Sequence, residues 1–532
     1  MKKNQQNVIT VLSIAVFILA FMISGRIWFR LDLTKNKAYT LSGVSRNLHR
    51  EIPDQVRITY YLSSQLMAVY PQPGEIEDLL REYAVHSRGK IRYSRIDPAK
   101  TNRLQAMQQL GIPALEVEIV EKDELRVATV YAGVAVEYLD RVELLPVALS
   151  LDTVEYDITS RIRSLIRGTE REIGVIVGDS FRQWTRDFAP LNQTFNQAGF
   201  KIRAINPGDE IPDTLPSLFV FGGAEELDDW ALYRIDRYLQ GGGKIFFAPE
   251  TISIDLQNNL ETRLLMDKGL ISMISFYGAT VKPEMVMDQT ALNFPPYQVN
   301  GPGGIPQFRV VRYPLWIGVA PENANPGHPL TARFGGLDLF WPAPITLNVP
   351  GGVEGQVLFS STPRAWLQTK NFNANPELSY LFEQEAPDTA GTKVLGVSLS
   401  GNFPSYFEGM DKPRRDGSAE ELPERPAETK PGRIVVIGDA EIGSYLLEYT
   451  QGRHNLDFIL KAADWLGNDE DIIGIRNRQA QNGRLDKITD PVKKGRAVNF
   501  ARVFNTFIIP LAVILAGLFL GWQRRKEKTD GR

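Results

Sequence analysis

The chain has 532 residues, with 60 Lys and Arg against 63 Asp and Glu and a formal net charge of −3. With 43% hydrophobic and 10% aromatic residues, it is neither a disordered chain nor, by bulk charge, a nucleic-acid binder. The absence of cysteine excludes disulfides, thiolate metal sites and a cysteine nucleophile.

The first element is apolar, VITVLSIAVFILAFMIS from Val8 to Ser24, and follows Lys2 and Lys3. It reads as an uncleaved transmembrane helix within 7–29; the alternative is a cleaved signal peptide, although Ala20 to Arg26 offers no good small-x-small site. Its counterpart is VFNTFIIPLAVILAGLFLGW at 503–522, whose Pro510 and Gly517 a membrane helix tolerates. Trp28 and Trp522 suit the interface, and Arg524, Arg525, Lys526 and Lys528 form a basic tail. Two spans put both termini on one side, but Arg26, Arg30, Lys35 and Lys37 nearly balance Lys2 and Lys3, so charge does not fix the orientation. The expectation is cytoplasmic tails and an extracytoplasmic, periplasmic body on the inner (cytoplasmic) membrane.

Between the spans, residues 39–167 read as a smaller α/β domain. Strand VRITYYL (Val56 to Leu62) precedes a helix in which Ile76, Leu79, Leu80 and Tyr83 share a face. Strand IRYSRI (Ile91 to Ile96), a helix around Leu104 to Leu110, and strands near Leu115 to Val120 and Val127 to Tyr138 follow. The order βαβαββ suggests a thioredoxin-like unit, which without CxxC could only pack or bind. Asp157 to Arg167 reads as a helix bridging to the next unit, with Ile158, Ile162, Leu165 and Ile166 on its apolar side.

Residues 168–478 read as a doubly wound α/β domain. Short apolar strands such as EIGVIVGDS, SLFVFGG and KIFFAPE alternate with amphipathic helices, as expected of a parallel sheet covered on both faces. The pattern breaks over about 251–392, a Pro/Gly/Asn-rich insertion, and resumes at VLGVSLSG and RIVVIGDAEIG. The charged, Pro-rich 410–431 reads as a mobile surface loop, and 479–502 as a polar connector to the second span.

Ligands collect at the carboxyl ends of strands in open parallel sheets. Three acids stand there, Asp179, Glu250 and Asp439, as candidate binding residues for a metal, a sugar or a cation. The alternative is that Asp439 caps the helix near Glu441 and Asp179 caps a turn. Gly241-Gly242-Gly243 lies where a helix C-cap is needed. There is no GxxxxGK[ST] and no GxSxG, which removes the ATP-binding P-loop and the hydrolase elbow. His49, His86, His328 and His454 are scattered, so neither a zinc site nor a His-dependent triad is expected, and no cofactor is expected. Tyr297, Phe308, Tyr313, Trp316, Phe340 and Trp341 line a ligand cleft in one reading and form a subdomain core in the other.

Several strings resemble a known family. Arg30-Leu31-Asp32-Leu33-Thr34, with Lys37 and Tyr39-Thr40-Leu41-Ser42, is similar to the RxDLTxxKxYTLS signature of the gliding-motility-associated (GldG-like) auxiliary family of ABC-transporter proteins. The likeness extends through VEYDITSRI, GGGKIFF, RIVVIGDAEIGS, NLDFILKAADWLG and Ile475-Arg476. It implies an extracytoplasmic flavodoxin-like domain related to intraflagellar-transport proteins, a separate permease and ATPase as partners, and a substrate-binding label with no agreed ligand residues. Many relatives carry a G-H-G-E-like turn where this chain has Gly178-Asp179-Ser180. The expected function is a non-enzymatic auxiliary subunit, with Arg30, Asp32, Lys37 and Tyr39 docking to the permease or forming a capped turn. Its rivals are a hydrolase using the strand-end acids and a glycan-binding scaffold that would need an exposed aromatic cleft.

Overall fold

The computed structural model describes residues 40–475, apart from 102–103, 122–123, 169–170, 257, 301–305, 383–388, 416–420, 451 and 468–471, together with residue 504. The chain divides into the units Met1–Ala480 and Gln481–Arg532, and the fold described here belongs to the first. Among the described residues no helix is long and apolar enough to cross a membrane. Apart from residue 504, both segments read as spans, together with the connector and Arg30, Asp32, Lys37 and Tyr39, lie outside the described residues.

The first domain contains β1 (Val56–Leu62), α1 (Gln72–His86), β2 (Ile91–Ile96), α2 (Leu104–Gln109), β3 (Leu115–Glu121), β4 (Glu124–Val130), β5 (Ala132–Tyr138), β6 (Arg141–Leu145) and α3 (Leu151–Arg167). Four strands form one sheet in the order β2-β1-β5-β6; β1 runs parallel to β2 and antiparallel to β5. The single strand expected over Val127 to Tyr138 is two strands interrupted at Tyr131, and β3 pairs with β4 in a separate two-stranded hairpin. Alternation along β1 sends Val56, Ile58, Tyr60 and Leu62 into a core with α1 and α3, while Tyr61 joins a smaller cluster against Met107 of α2. Ile76, Leu79, Leu80 and Tyr83 are all buried on the face of α1 that their spacing indicates.

Helix α3 starts at Leu151, earlier than expected, and is buried on more than its apolar stripe: Tyr156, Thr159, Ser160, Arg161 and Arg163 are also enclosed. It is enclosed because it lies between the two domains. Arg161 donates to the Leu144 carbonyl on one side (2.9 Å) and to the Gln197 carbonyl on the other (2.9 Å).

The second domain contains β7 (Glu172–Val177), α4 (Ala189–Gln197), β8 (Lys201–Ala204), β9 (Leu218–Phe221), α5 (Asp229–Gln240), β10 (Lys244–Ala248), β11 (Val353–Ser360), β12 (Val394–Gly401), β13 (Gly432–Ile437) and α6 (Arg453–Leu466). Its seven-stranded sheet has the order β11-β12-β13-β10-β9-β7-β8. The five strands from β13 to β8 are parallel, but β12 runs antiparallel to β13 and β11 antiparallel to β12, so the expected parallel sheet is a mixed one, still covered on both faces. Phe219, Phe221, Phe246, Val435 and Ile437 enter one core under α4 and α6. Their neighbours Leu218, Val220, Ile245, Phe247, Ile434 and Val436 enter the other under α5. Burial on both faces explains why these strands read as continuous apolar runs; each such side chain contributes roughly 1.5–3 kcal/mol on leaving water.

Helix α5 is capped at both ends. The Asp228 side chain accepts from Ala231 N (3.0 Å), and Gly241 to Gly243 return three N–H bonds to Arg237, Leu239 and Tyr238, with Gly242 at φ +91°. The segment expected to be mobile over 410–431 is fastened to this helix on its described part. Leu422 is buried, the Pro423 carbonyl accepts from the Tyr233 hydroxyl (3.1 Å), and the Glu424 carbonyl accepts from Arg237 (3.1 Å). One apolar anchor with backbone acceptors outweighs the polar composition.

The insertion is made of short ribbons, including the hairpin Ile252–Asp255 with Glu261–Leu264, and a second core around Tyr313, Trp316, Phe340, Trp341 and Trp366. It also returns β11 to the main sheet. Trp316 is 1% and Trp341 9% exposed, so of the expected aromatics most form this core; Phe308, 75% exposed, stands outside it.

Candidate functional site

Strands β7, β9, β10 and β13 all end at one edge of the sheet, where their parallel direction places Asp179, Gly222-Gly223, Glu250 and Asp439. The chain order reverses between β8 and β9 on either side of β7, the position at which open α/β sheets form a crevice. Here the crevice is closed at its base. A Cβ on Gly178 would lie 2.5 Å from the Gly223 Cα, and Asp179 Oδ1 accepts from Gly223 N (2.9 Å).

Over this base lies Arg182, a residue that sequence reading passed over. Its Nη1 donates to Asp179 Oδ2 and to Glu250 Oε1 (2.9 Å), its Nη2 to Glu250 Oε2 (2.8 Å) and Glu441 Oε1 (2.8 Å), and its Nε to Glu441 Oε1 (3.2 Å). These bonds engage all the donors a guanidinium has. Its side chain is 8% exposed, and those of the three carboxylates 4 to 12%. Burial works against the Arg182 charge, but Glu250, Glu441 and Asp179 outweigh it and hold its pKa well above the usual value.

Burial raises the pKa of Glu250 and of Asp179. Glu250 is pushed up to about 7, with Arg182 opposing the shift and Asp179 and Glu441 adding to it. Asp179 is raised for the same reason against the pull of Arg182.

Asp439 is brought to the same edge but not to the guanidinium. Its Oδ2 accepts from Phe340 N and its Oδ1 from Glu441 N (2.8 Å each), so it fixes the turn that presents Glu441. Burial raises its pKa well above the ordinary carboxylate range. A cavity of about 20 Å³ between Arg182, Glu250, Glu284 and Asp439 has room for about one water.

Above this floor an open groove of about 640 Å³ is walled by the loop Phe181 to Asp187, the 252–264 hairpin, and Glu441 with Tyr445. Among the described residues no group of three or more His, Asp or Glu has the geometry to hold a metal ion. His328 is a packed turn residue: Nδ1 accepts from Leu330 N (3.2 Å), Nε2 meets Ser398 Oγ (3.1 Å), and the ring stands edge-on to Trp465.

The strings that carry the family resemblance meet elsewhere, around α3. Ser42 N donates to Glu155 Oε1 (2.6 Å), and the Ser42 side chain caps the helix Gly43–Asn47. Tyr156 packs with Ile472, Ile475 and Val44, and its hydroxyl donates to Asp464. Ser42, Glu155-Tyr156, Asp464 and Ile475 thus form one continuous set of contacts.

A family model described as an ABC-type uncharacterized transport system matches residues 170–462, more than half of the chain. The chain belongs to this family. The match spans the second domain of this ABC-transport auxiliary, including the Arg182 cluster, and a model for a domain of unknown function matches residues 35–137. An uncharacterized protein of Borreliella burgdorferi (strain ATCC 35210 / DSM 4680 / CIP 102532 / B31) is 24% identical over 535 residues, covering 98% of this auxiliary and 99% of that relative. A solved structure, the mmIFT52 N-terminal domain, is 12% identical, with a TM-score of 0.32, over 55% of this chain and 96% of its own, a likeness too distant to carry an argument.

Proposed function

We propose that this chain is the membrane-anchored auxiliary subunit of an ABC transport system of the gliding-motility-associated kind, coupling a separate permease and ATPase to an extracytoplasmic body. The observation that supports this is the convergence on α3. The segment following the first apolar stretch and the segment leading toward the second pack on the same residue, Tyr156, through Val44, Ile472 and Ile475. A body rooted at one place through both flanking segments is suited to receive motion from membrane partners, and α3 lies between its two domains. Arg30, Asp32, Lys37 and Tyr39 immediately precede this root in sequence and are proposed to dock to the permease.

Neither rival gains an observation. Trp316 and Trp341 are buried, which argues against a glycan scaffold that presents them in an exposed cleft. Asp179 and Glu250 are bound to one guanidinium instead of facing a substrate. The test is purification of the full chain in mild detergent with identification of the co-purifying proteins. A permease and an ATPase are expected; recovery without either overturns the reading.

A further inference from the structure

A second cleft, of about 430 Å³, opens between the two domains at the other edge of the sheet, where β7 and β9 begin and α6 ends. Its volume is in the range of small-molecule sites. It lies beside Tyr156, whose partners Arg171 and Asp464 both line it.

The α3 wall of this cleft is polar by spacing. Ser160, Arg163, Ser164 and Arg167 recur at i, i+3, i+4 and i+7 and line it, while Ile158, Ile162 and Leu165 enter the core of the first domain. Arg171 adds a third guanidinium from the second domain. Arg163 and Arg171 are enclosed, with side chains 6% and 9% exposed, and are held by ion pairs to Glu51 and Asp464. Among the described residues the lining carries three arginines against two carboxylates, Glu172 and Asp464. Glu51 and Arg203, which pair with Arg163 and Glu172 from outside the lining, cancel each other and leave that positive excess.

Ser217 supplies an independent sign. It lines the same cleft at the entry to β9, is fully buried, and its backbone carbonyl accepts from Gly174 N (2.9 Å). Its hydroxyl has no hydrogen-bond partner among the described residues. An unpaired buried hydroxyl is costly, and an acceptor oxygen entering from the cleft would meet it. Guanidinia interspersed with hydroxyls match an anion that has several acceptor oxygens, of which a phosphoryl group offers three and a carboxylate two.

We infer that this cleft binds a phosphoryl group, held by Arg163, Arg167 and Arg171, with Ser217 donating its hydroxyl to it. Two sources supply such a group, a soluble phosphate ester and a lipid headgroup. The second is close at hand where Val44, Ile472 and Ile475 bring both flanking segments onto Tyr156; for that source the inference rests on the proposed membrane anchoring.

The test uses the full chain in neutral detergent at about 0.15 M salt, titrated calorimetrically with glycerol 3-phosphate and dihexanoyl phosphatidic acid. Glycerol and dihexanoyl phosphatidylcholine are the controls. Saturable binding of the lipid alone supports a headgroup; binding of glycerol 3-phosphate, alone or as well, supports a soluble ester. Arg167→Gln should weaken binding by about tenfold or more, and Ser217→Ala by about two- to tenfold. The ligand-free melting temperature of Ser217→Ala should hold or rise, because an unpaired hydroxyl is removed; a fall would make the hydroxyl structural and overturn its assignment. No saturable binding of either phosphate compound, undiminished binding in either variant, or equal binding of the controls overturns the inference. Failure here with permease and ATPase co-purifying removes the cleft reading alone; phosphate binding without those partners removes the transporter reading alone.

Discussion

The Tyr156 hydroxyl lies 2.8 Å from both carboxylate oxygens of Asp464, joining the helix between the domains to the last helix of the sheet. Arg171 donates to the same carboxylate and to the Tyr156 hydroxyl (2.7 Å), with its guanidinium 3.9 Å from the Phe200 ring centroid. All three side chains are enclosed, so the network can be tested by deletion. Tyr156→Phe removes the donor while keeping the ring against Ile472 and Ile475. It should cost about 1–3 kcal/mol in urea unfolding; an unchanged midpoint would show that the hydroxyl does not stabilise the junction.

At the sheet edge, Arg182→Met leaves the Asp179, Glu250 and Glu441 carboxylates buried together. Breaking a buried ionic cluster by removing one partner costs roughly 3–5 kcal/mol. Arg182→Lys should recover only part of the loss, because an ammonium cannot make the planar two-point contacts with Glu250 and Glu441. The order wild type, Lys, Met in melting temperature checks this.

Glu250 supplies a pH dependence of definite sign. Its folded pKa of about 7 is above the ordinary carboxylate value because of burial, so between roughly pH 4.5 and pH 7 the folded chain keeps a proton that the unfolded chain releases. Its contribution to stability is complete below that window and is lost as pH rises through 7. In Glu250→Gln this slope disappears, so the melting temperature of the variant should gain on that of the wild type from pH 5 to pH 8. Parallel profiles would show that Glu250 does not titrate in this range.

Glycine is required at Gly222 in a way that it is not at Gly351. Gly222 has φ +64°, and a Cβ there would lie 1.7 Å from Asp179 Oδ2; a Cβ on Gly351 meets nothing within 4 Å. Gly222→Ala should therefore cost roughly 3–5 kcal/mol, and Gly351→Ala less than about 1 kcal/mol. Similar losses in the two variants would contradict the packing at the β7–β9 crevice.

Elements with strong periodicity were legible in the sequence, and contacts between distant elements were not. Ile76, Leu79, Leu80 and Tyr83 announce their buried face by spacing, and the runs of β9 and β10 announce burial on both faces. The convergence of Asp179 and Glu250 on one edge follows from the parallel order, yet the residue joining them, Arg182, stands in a loop with no periodic signal. A basic residue three positions after a strand-end acid was the available clue. Direction failed at VLGVSLSG, whose apolar content is compatible with either sense of pairing; β13 and β11 together decide that it runs antiparallel. Composition misled over 410–431, where one leucine and two carbonyls bind a polar segment to α5.

The long excursion between β10 and β13 has a consequence for how the chain is made. Lys244 to Phe247 must pair with Arg433 to Val436, and during synthesis the second stretch emerges only after the whole insertion. Until then β10 is an apolar edge strand with its pairing groups unmet, the kind of edge from which chains associate wrongly. The return of β11 to the sheet gives no earlier protection, because it docks on β12, which itself pairs with the late-arriving β13. The vulnerable period in the life of this protein is thus its birth, and its length is set by the insertion.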